Sequence, residues 1–186
     1  MAQVDIRPFQ PQDISCLPEI ITGYVTSEIY TVNKIEHEGE TSFSLRLEPL
    51  PTPKTIVYDH LDEAELTRLA DVVAEGLSLA AVADERLIGV TLASVEPWNQ
   101  SLRAWEFHVA KAWRGQGIGR RMMERVVETA VSNNLRVIVC ETQSRNVPAI
   151  RFYRKMGFAL DAIDLSFYSN EDVAKESVAL FMKRKL

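Results

Sequence analysis

The stretch from Arg103 to Cys140 constrains the fold more than any other part of the chain. Arg103 to Val109 is β-rich, and Arg114-Gly115-Gln116-Gly117-Ile118-Gly119 holds three of the eight glycines. From Gly117 to about Ser132, apolar residues recur at Ile118, Met122, Val126 and Ala130, with Arg121, Glu124, Arg125 and Glu128 on other faces. That spacing predicts an amphipathic helix. Arg136-Val137-Ile138-Val139-Cys140 follows as a continuous apolar run, the pattern of a strand buried on both faces in a parallel pair. Strand, helix and strand in this order predict a crossover and a mixed sheet with at least one parallel pair.

The flanking segments extend that sheet. Val4 to Arg7 has strand character, Asp13 to Thr22 is helix-compatible, and Thr41 to Leu47 alternates with period two. Pro49-Leu50-Pro51-Thr52-Pro53 reads as a loop. Asp62 with Glu65 opens a helix that presents Leu66, Leu69, Ala70 and Val73 and stops at Gly76. Leu77 to Ala83 and Arg86 to Val95 read as a hairpin turning at Asp84-Glu85, with Arg103 to Val109 continuing the meander. Asn146 to Met156 reads as a further helix ended by Gly157, and Phe158 to Tyr168 and Ser177 to Lys183 as closing strands. A chain of 186 residues, 46% hydrophobic and 25% charged, fits a single domain with a substantial core. In that reading residues 77–186 form the cofactor-binding core and closing strands, and 1–76 help to form the acceptor pocket.

Composition narrows the function. The formal net charge of −5 argues against nucleic acid as the main partner. No stretch approaches the ~20 apolar residues that span a bilayer, and Met1-Ala2-Gln3-Val4-Asp5-Ile6-Arg7 has no apolar leader core, so the expected compartment is the cytoplasm. Cys16 and Cys140 form no metal-like spacing with His37, His60 or His108, so no metal is expected. Cys140 ends an apolar run and is expected to be a buried thiol.

The turn at 114–119 carries the chemistry. Glycines permit positive φ and close backbone approach, so successive N–H groups can converge on an anion at the positive end of the helix dipole. A glycine-rich connection with no ligand is the plain alternative. The segment lacks the Gly-Lys-Ser/Thr of a nucleoside-triphosphate loop and the glycine spacing of a dinucleotide fingerprint. On the helix 146–156, Asn146, Ala149 and Tyr153 share one face by spacing, and Phe152 points elsewhere, toward the core.

Arg114, Gly117 and Gly119 match the Arg/Gln-x-x-Gly-x-Gly/Ala signature, and Asn146 to Phe158 resembles the Asn-x-x-Ala-x-x-Phe-Tyr-x-x-x-Gly-Phe helix, of GNAT-superfamily N-acetyltransferases. Trp98-Asn99, Glu141-Thr142-Gln143, Asp164 and Tyr168 are most similar to streptothricin acetyltransferases, over roughly Leu77 to the C-terminus. The resemblance implies an α/β fold: a mixed, mostly antiparallel sheet of six to seven strands with a splayed parallel pair and helices on both faces. It implies acetyl-CoA as donor, its pyrophosphate at Gly115, Gln116, Gly117, Ile118, Gly119 and Arg120 beside Arg114, its pantetheine near Phe107, Val109, Asn146 and Ala149, between strands 103–109 and 135–141. Tyr153 is then the proton donor to the CoA thiolate, and Trp98, Glu141, Asp164 and Tyr168 are candidate acceptor contacts. Read without the resemblance, the plain alternative for Tyr153 is a buried aromatic whose hydroxyl caps a backbone group.

One departure concerns the base. Streptothricin acetyltransferases tend to carry adjacent acids in the strand matching Trp105-Glu106-Phe107-His108-Val109, and tryptophan stands at the first of those positions here. Glu106 remains as the candidate base, with His108 its rival on the same face, and a salt-bridged strand glutamate as the plain alternative. An alkyl amine with pKa near ~10.4 is almost wholly protonated at pH 7, so a base is needed. No nucleophile–base pair is evident, which points to direct transfer in a ternary complex. The expected acceptor is a small-molecule primary amine, an aminoglycoside-like or streptothricin-type antibiotic with a β-lysyl amine. A protein or peptide amine and a non-catalytic acyl-CoA sensor stay open, as does the oligomeric state, homodimer included.

Overall fold

The computed structural model describes residues 3–59 and 61–186. Met1 and Ala2, read above as part of a leaderless N-terminus, and His60, read as no metal ligand, lie outside the described residues. The elements run β1 (Val4–Pro8), a 3-10 turn (Pro11–Cys16), α1 (Leu17–Ile20), β2 (Gly23–His37), β3 (Glu40–Val57), α2 (Glu63–Ala74), β4 (Leu79–Ala83), β5 (Arg86–Glu96) and β6 (Ser101–Val109). A second 3-10 turn (Lys111–Trp113), α3 (Ile118–Ser132), β7 (Val137–Gln143), α4 (Val147–Lys155), β8 (Ala159–Asp164) and β9 (Ala179–Lys185) complete the chain. Seven strands form a mixed sheet in the order β1-β4-β5-β6-β7-β9-β8, and β2 and β3 form a separate ribbon. The β6–β7 pair is parallel, as the crossover through α3 requires. No helix among the described residues is long and apolar enough to cross a membrane.

The chain divides into two compact units: residues 1–22, 57–140 and 184–186, and residues 23–56 and 141–183. In the first, successive residues of β4 point to opposite faces of the sheet. Ala80 joins a core with Leu17 and Ile20 of α1, Leu69, Val72 and Val73 of α2, and Val90 and Leu92 of β5. Ala81 joins a core with Ile88 and with Ile118 and Met122 of α3. Gly89 is what lets α3 approach the sheet: a Cβ there would stand 2.8 Å from Met122 Sδ and 3.2 Å from the His108 carbonyl. Asp62 caps α2 by accepting from the Glu65 amide at 2.8 Å, and Asp84 and Glu85 turn the β4–β5 hairpin with φ of 47° and 61°. Arg7 donates two hydrogen bonds to the Asp13 carboxylate, at 2.7 and 2.9 Å. Those bonds hold Asp13 below the usual carboxylate range.

The second unit packs α4 beside the β2–β3 ribbon. Arg151 pairs with Glu28 at 2.6 Å, and Arg154 donates to the Tyr30 hydroxyl at 2.7 Å. Ile29, Val147, Ile150, Tyr153, Leu180 and Met182 are buried.

Three expectations fail here. The proline-rich segment 49–53 is not a loop but the middle of β3. Its prolines alternate with other residues, so all three missing N–H groups fall on one edge of the strand, and a two-stranded ribbon leaves each strand one edge without a ladder. The strand expected from Phe158 to Tyr168 stops at Asp164, because the Asp164 carboxylate accepts from the Ser166 amide at 2.9 Å and turns the chain. Phe152 is only half-buried while Tyr153 is 6% exposed, so the buried aromatic of α4 is the tyrosine.

Candidate active site

The glycine turn has the geometry its sequence predicts. Arg114 closes the 3-10 turn and its Nε donates to the Val109 carbonyl at 2.8 Å; Gln116 Nε2 donates to the Ala112 carbonyl at 3.1 Å. These bonds tie the loop back to the end of β6. Gly115 and Gly117 take φ of 78° and 80°, and Gly117 is the N-cap of α3. A Cβ at either would meet nothing within 4 Å, so their open side is where a ligand's atoms can come close to the backbone. The first amides of a 15-residue helix follow, at Ile118, Gly119 and Arg120, carrying the positive end of its dipole. This open, donor-rich turn fits a pyrophosphate. Gly119 takes no positive φ.

A bulge in β6 shapes the neighbouring strand. Leu92 pairs with Glu106 and Ala93 with Ala104, leaving Trp105 as the extra residue. Among the described pairs, the parallel β6–β7 ladder runs from Ser101/Val137 to Ala104/Cys140 and ends at this bulge. The bulge also turns Trp105 to the same side as Glu106, against α2. Its ring lies 4.8 Å from the Arg68 guanidinium and 4.2 Å from that of Arg103, and its Nε1 donates to Ser94 Oγ at 2.7 Å. Phe107 and Val109 face the other side, with Ile118 and Met122 of α3. His108 Nε2 and Glu106 Oε2 are 2.7 Å apart, so the two candidate bases are one hydrogen-bonded pair.

The other expected site residues lie in the second unit, apart from Trp98. Asn146 caps α4, its Oδ1 accepting from the Ala149 amide at 3.2 Å, which brings Asn146 and Ala149 together as their spacing implied. Tyr153 stacks obliquely on Phe158, ring centroids 5.6 Å apart. The Tyr168 hydroxyl donates to Glu141, uniting two of the acceptor candidates, while one carboxylate oxygen of Asp164, Oδ1, accepts from the Ser166 amide. Trp98, in the first unit, is 83% exposed and donates from Nε1 to Glu96 at 3.1 Å.

Residues 42–158 match the acetyltransferase (GNAT) family. The chain belongs to that family. It is 29% identical to a streptothricin acetyltransferase of Streptomyces lavendulae over 166 residues, covering 88% of this chain and 86% of that one. It superposes on the crystal structure of a nourseothricin acetyltransferase with a TM-score of 0.77 at 27% identity, covering 98% of both chains. It also shares the fold of a Bacillus anthracis protein assigned as a streptothricin acetyltransferase and solved with acetyl coenzyme A, with a TM-score of 0.74 at 21% identity, over 100% of this chain and 98% of that one.

This acetyltransferase holds groups that pattern reading passed over. Tyr24 is buried, and its hydroxyl donates to Gln143 Oε1 at 3.2 Å. Burial pushes its pKa up to about 12 against the opposing pull of Arg145. Asp172 is fully buried and accepts from the Tyr168 amide and Ser169 Oγ, both at 2.8 Å, which sets the loop that carries Tyr168. An aspartate followed by an apolar residue in a polar stretch carries no sequence signal for such a role. Among the described residues no group of His, Cys, Asp and Glu could hold a metal ion, and Cys140 is buried.

Proposed function

We propose that this acetyltransferase moves an acetyl group from acetyl-CoA to the primary amine of a small cationic acceptor of the streptothricin type, by direct attack. The observation that carries the reading is the pair of positive-φ glycines, 115 and 117, opening onto the N-terminus of α3. Bound there, acetyl-CoA supplies an activated acetyl thioester. The amides of Gly117, Ile118, Gly119 and Arg120 hold its pyrophosphate, with Arg114 and Gln116 fixing the turn. Phe107 and Val109 of β6, with Asn146 and Ala149 of the α4 N-terminus, are the residues that would hold its pantetheine arm.

Glu106 takes a proton from the acceptor ammonium, directly or through a water, and frees the lone pair. Tyr153 gives its phenolic proton to the departing thiolate. Trp98, Glu141, Asp164 and Tyr168 contact the acceptor, and the Glu141–Tyr168 pair offers the anionic group that a second ammonium needs. Relatives named for streptothricin and nourseothricin support this class of acceptor. The test is CoA-thiol release by the purified protein across streptothricin, polyamines, amino acids and peptides with free N-termini. Turnover is expected to be highest with streptothricin; preferential turnover of peptides rejects the acceptor class, and no release with any amine rejects the reaction.

A further inference from the structure

β2 and β3 are 15 and 18 residues long and form a two-stranded sheet of their own. None of the 18 residues of β3 is buried, and a two-stranded ribbon is marginal by itself in water. The register follows from the turn at Glu38-Gly39, where Gly39 has φ of 85°: His37 stands opposite Glu40, and Thr31 opposite Arg46. In keeping with it, the Thr31 hydroxyl donates to the Arg46 carbonyl at 3.2 Å. Opposite residues share a face, so Tyr30, Val32 and Lys34 of β2 lie with Leu47, Leu45 and Phe43 of β3. α4 covers this face only at its base, where Arg154 lies 5.4 Å from the Tyr30 ring centroid and Arg151 pairs with Glu28. Beyond Tyr30 the face reaches solvent. Phe43 is 48% and Leu47 37% exposed, with Val32 and Leu45 half-buried. The other face between 31 and 46 is polar, with Ile35 its only large apolar residue.

We propose that this face binds the same face of a second copy of the chain, the two ribbons antiparallel about a two-fold axis that crosses each near residues 33 and 44. Phe43 of each copy then seats on Val32 and Leu45 of the other. Charge selects the direction. The ribbon tip holds Glu36, Glu38 and Glu40, and the pairing of Lys34 with Glu36 at 2.5 Å leaves it net acidic. At the base, the last turn of α4 carries Arg154 and Lys155, both exposed. The antiparallel two-fold brings Glu36 of each copy to Arg154 of the other, whereas tip-to-tip alignment sets the glutamates of the two copies against one another. Strand addition is the poorer mode, because Pro49, Pro51 and Pro53 leave one edge of β3 without donors over that stretch. Seven residues of each strand lie beyond the Tyr30–Leu47 pair, a face of about 25 Å by 10 Å. With the α4 side chains added, the two copies bury on the order of 1,000 Å² in total, the lower limit for a specific interface. The dimer is therefore weak, with a dissociation constant of micromolar order.

Sedimentation equilibrium of the full chain from about 1 to 100 μM tests the two-fold. The wild type is expected to pass from monomer to dimer in that range. Phe43→Glu is expected to stay monomeric at about 100 μM, since each dimer loses two apolar contacts and gains two charges at the seam, while its thermal unfolding remains cooperative. Glu36→Lys and Arg154→Glu make the readout independent of any loss of folding. Each alone is expected to weaken dimerisation by about tenfold, and the two together to restore it, because the two-fold makes each ion pair twice. A wild type monomeric at about 100 μM overturns the proposal and leaves the face to a partner of another kind. A dimer indifferent to Phe43→Glu overturns it as well, and a double variant no tighter than the single ones overturns the antiparallel pairing.

Discussion

At the residue scale, a hydroxyl that protonates a thiolate and a carboxylate that strips an ammonium fail differently when removed. Tyr153→Phe is expected to lower kcat by about 10²-fold with acetyl-CoA affinity little changed, since its proton matters as thiolate charge develops. Glu106→Gln is expected to lower kcat/KM by a similar factor near neutral pH and by less at high pH, where more of the acceptor is already neutral. Steady-state kinetics over pH check both, and full activity in either variant removes that residue from the chemistry. Tyr24 offers a separate titration. Its folded pKa of about 12 lies above the ordinary value of 10, so its contribution is complete below pH 10 and is lost as pH rises through about 12. Two units correspond to about 2–3 kcal/mol. Denaturant unfolding is expected to show that alkaline loss in the wild type and a flatter slope in Tyr24→Phe; equal slopes refute the burial argument. The sequence made Tyr153 legible because it stands inside an extended motif, and Glu106 with His108 because alternate strand residues share a face. Trp105 was not legible as their neighbour, since the bulge that turns it toward Glu106 breaks the alternation from which faces are read. Phe152 was assigned inward because spacing says that two adjacent helix residues diverge but not which one the core takes.

Elements were legible where local chemistry decides them. The α3 N-terminus was fixed by Gly117, the α2 start by Asp62, and the β4–β5 turn by Asp84-Glu85, each of which satisfies or releases the backbone by itself. The ribbon was not, because prolines in a strand become acceptable only once one edge is known to carry no ladder, and that is a property of the pairing partner. The end of β8 was equally hidden, set by one Asp164 hydrogen bond. The glycine turn supports a prediction that separates strain from binding. Gly117 needs its positive φ, so Gly117→Ala is expected to cost about 1–2 kcal/mol of stability and also to weaken acetyl-CoA. Gly119 lies in the first turn of α3 without positive φ, so Gly119→Val is expected to keep stability within about 1 kcal/mol and still weaken acetyl-CoA by tenfold or more. Thermal unfolding with calorimetric titration resolves the two, and unchanged affinity in both variants removes the phosphate from this turn.

At the scale of the whole molecule, the mixed seven-stranded sheet with its parallel pair follows from the order of strand and helix patterns, whereas the two compact units do not. Each unit is assembled from separated segments of chain, and no change of composition marks where one passes into the other. The net charge of −5 bears on the donor. A CoA thioester is itself anionic, so the long-range field of the protein opposes its approach, and binding has to come from short-range N–H donors and the α3 dipole. The cations near the turn are poor substitutes, since Arg120 is largely exposed and already paired with Glu124 at 2.8 Å. Salt therefore discriminates. Acetyl-CoA at about 100 times its dissociation constant stabilises the folded chain by about 2.7 kcal/mol, which for this size raises Tm by roughly 5–10 °C. Raising NaCl from about 50 to 500 mM shortens the screening length well below 10 Å, which weakens exposed ion pairs and the repulsive field alike while leaving backbone hydrogen bonds in place. Most of the Tm shift is expected to survive the added salt and to disappear in Gly119→Val. A shift that collapses with salt in the wild type transfers the phosphate contact from the turn to the surface arginines.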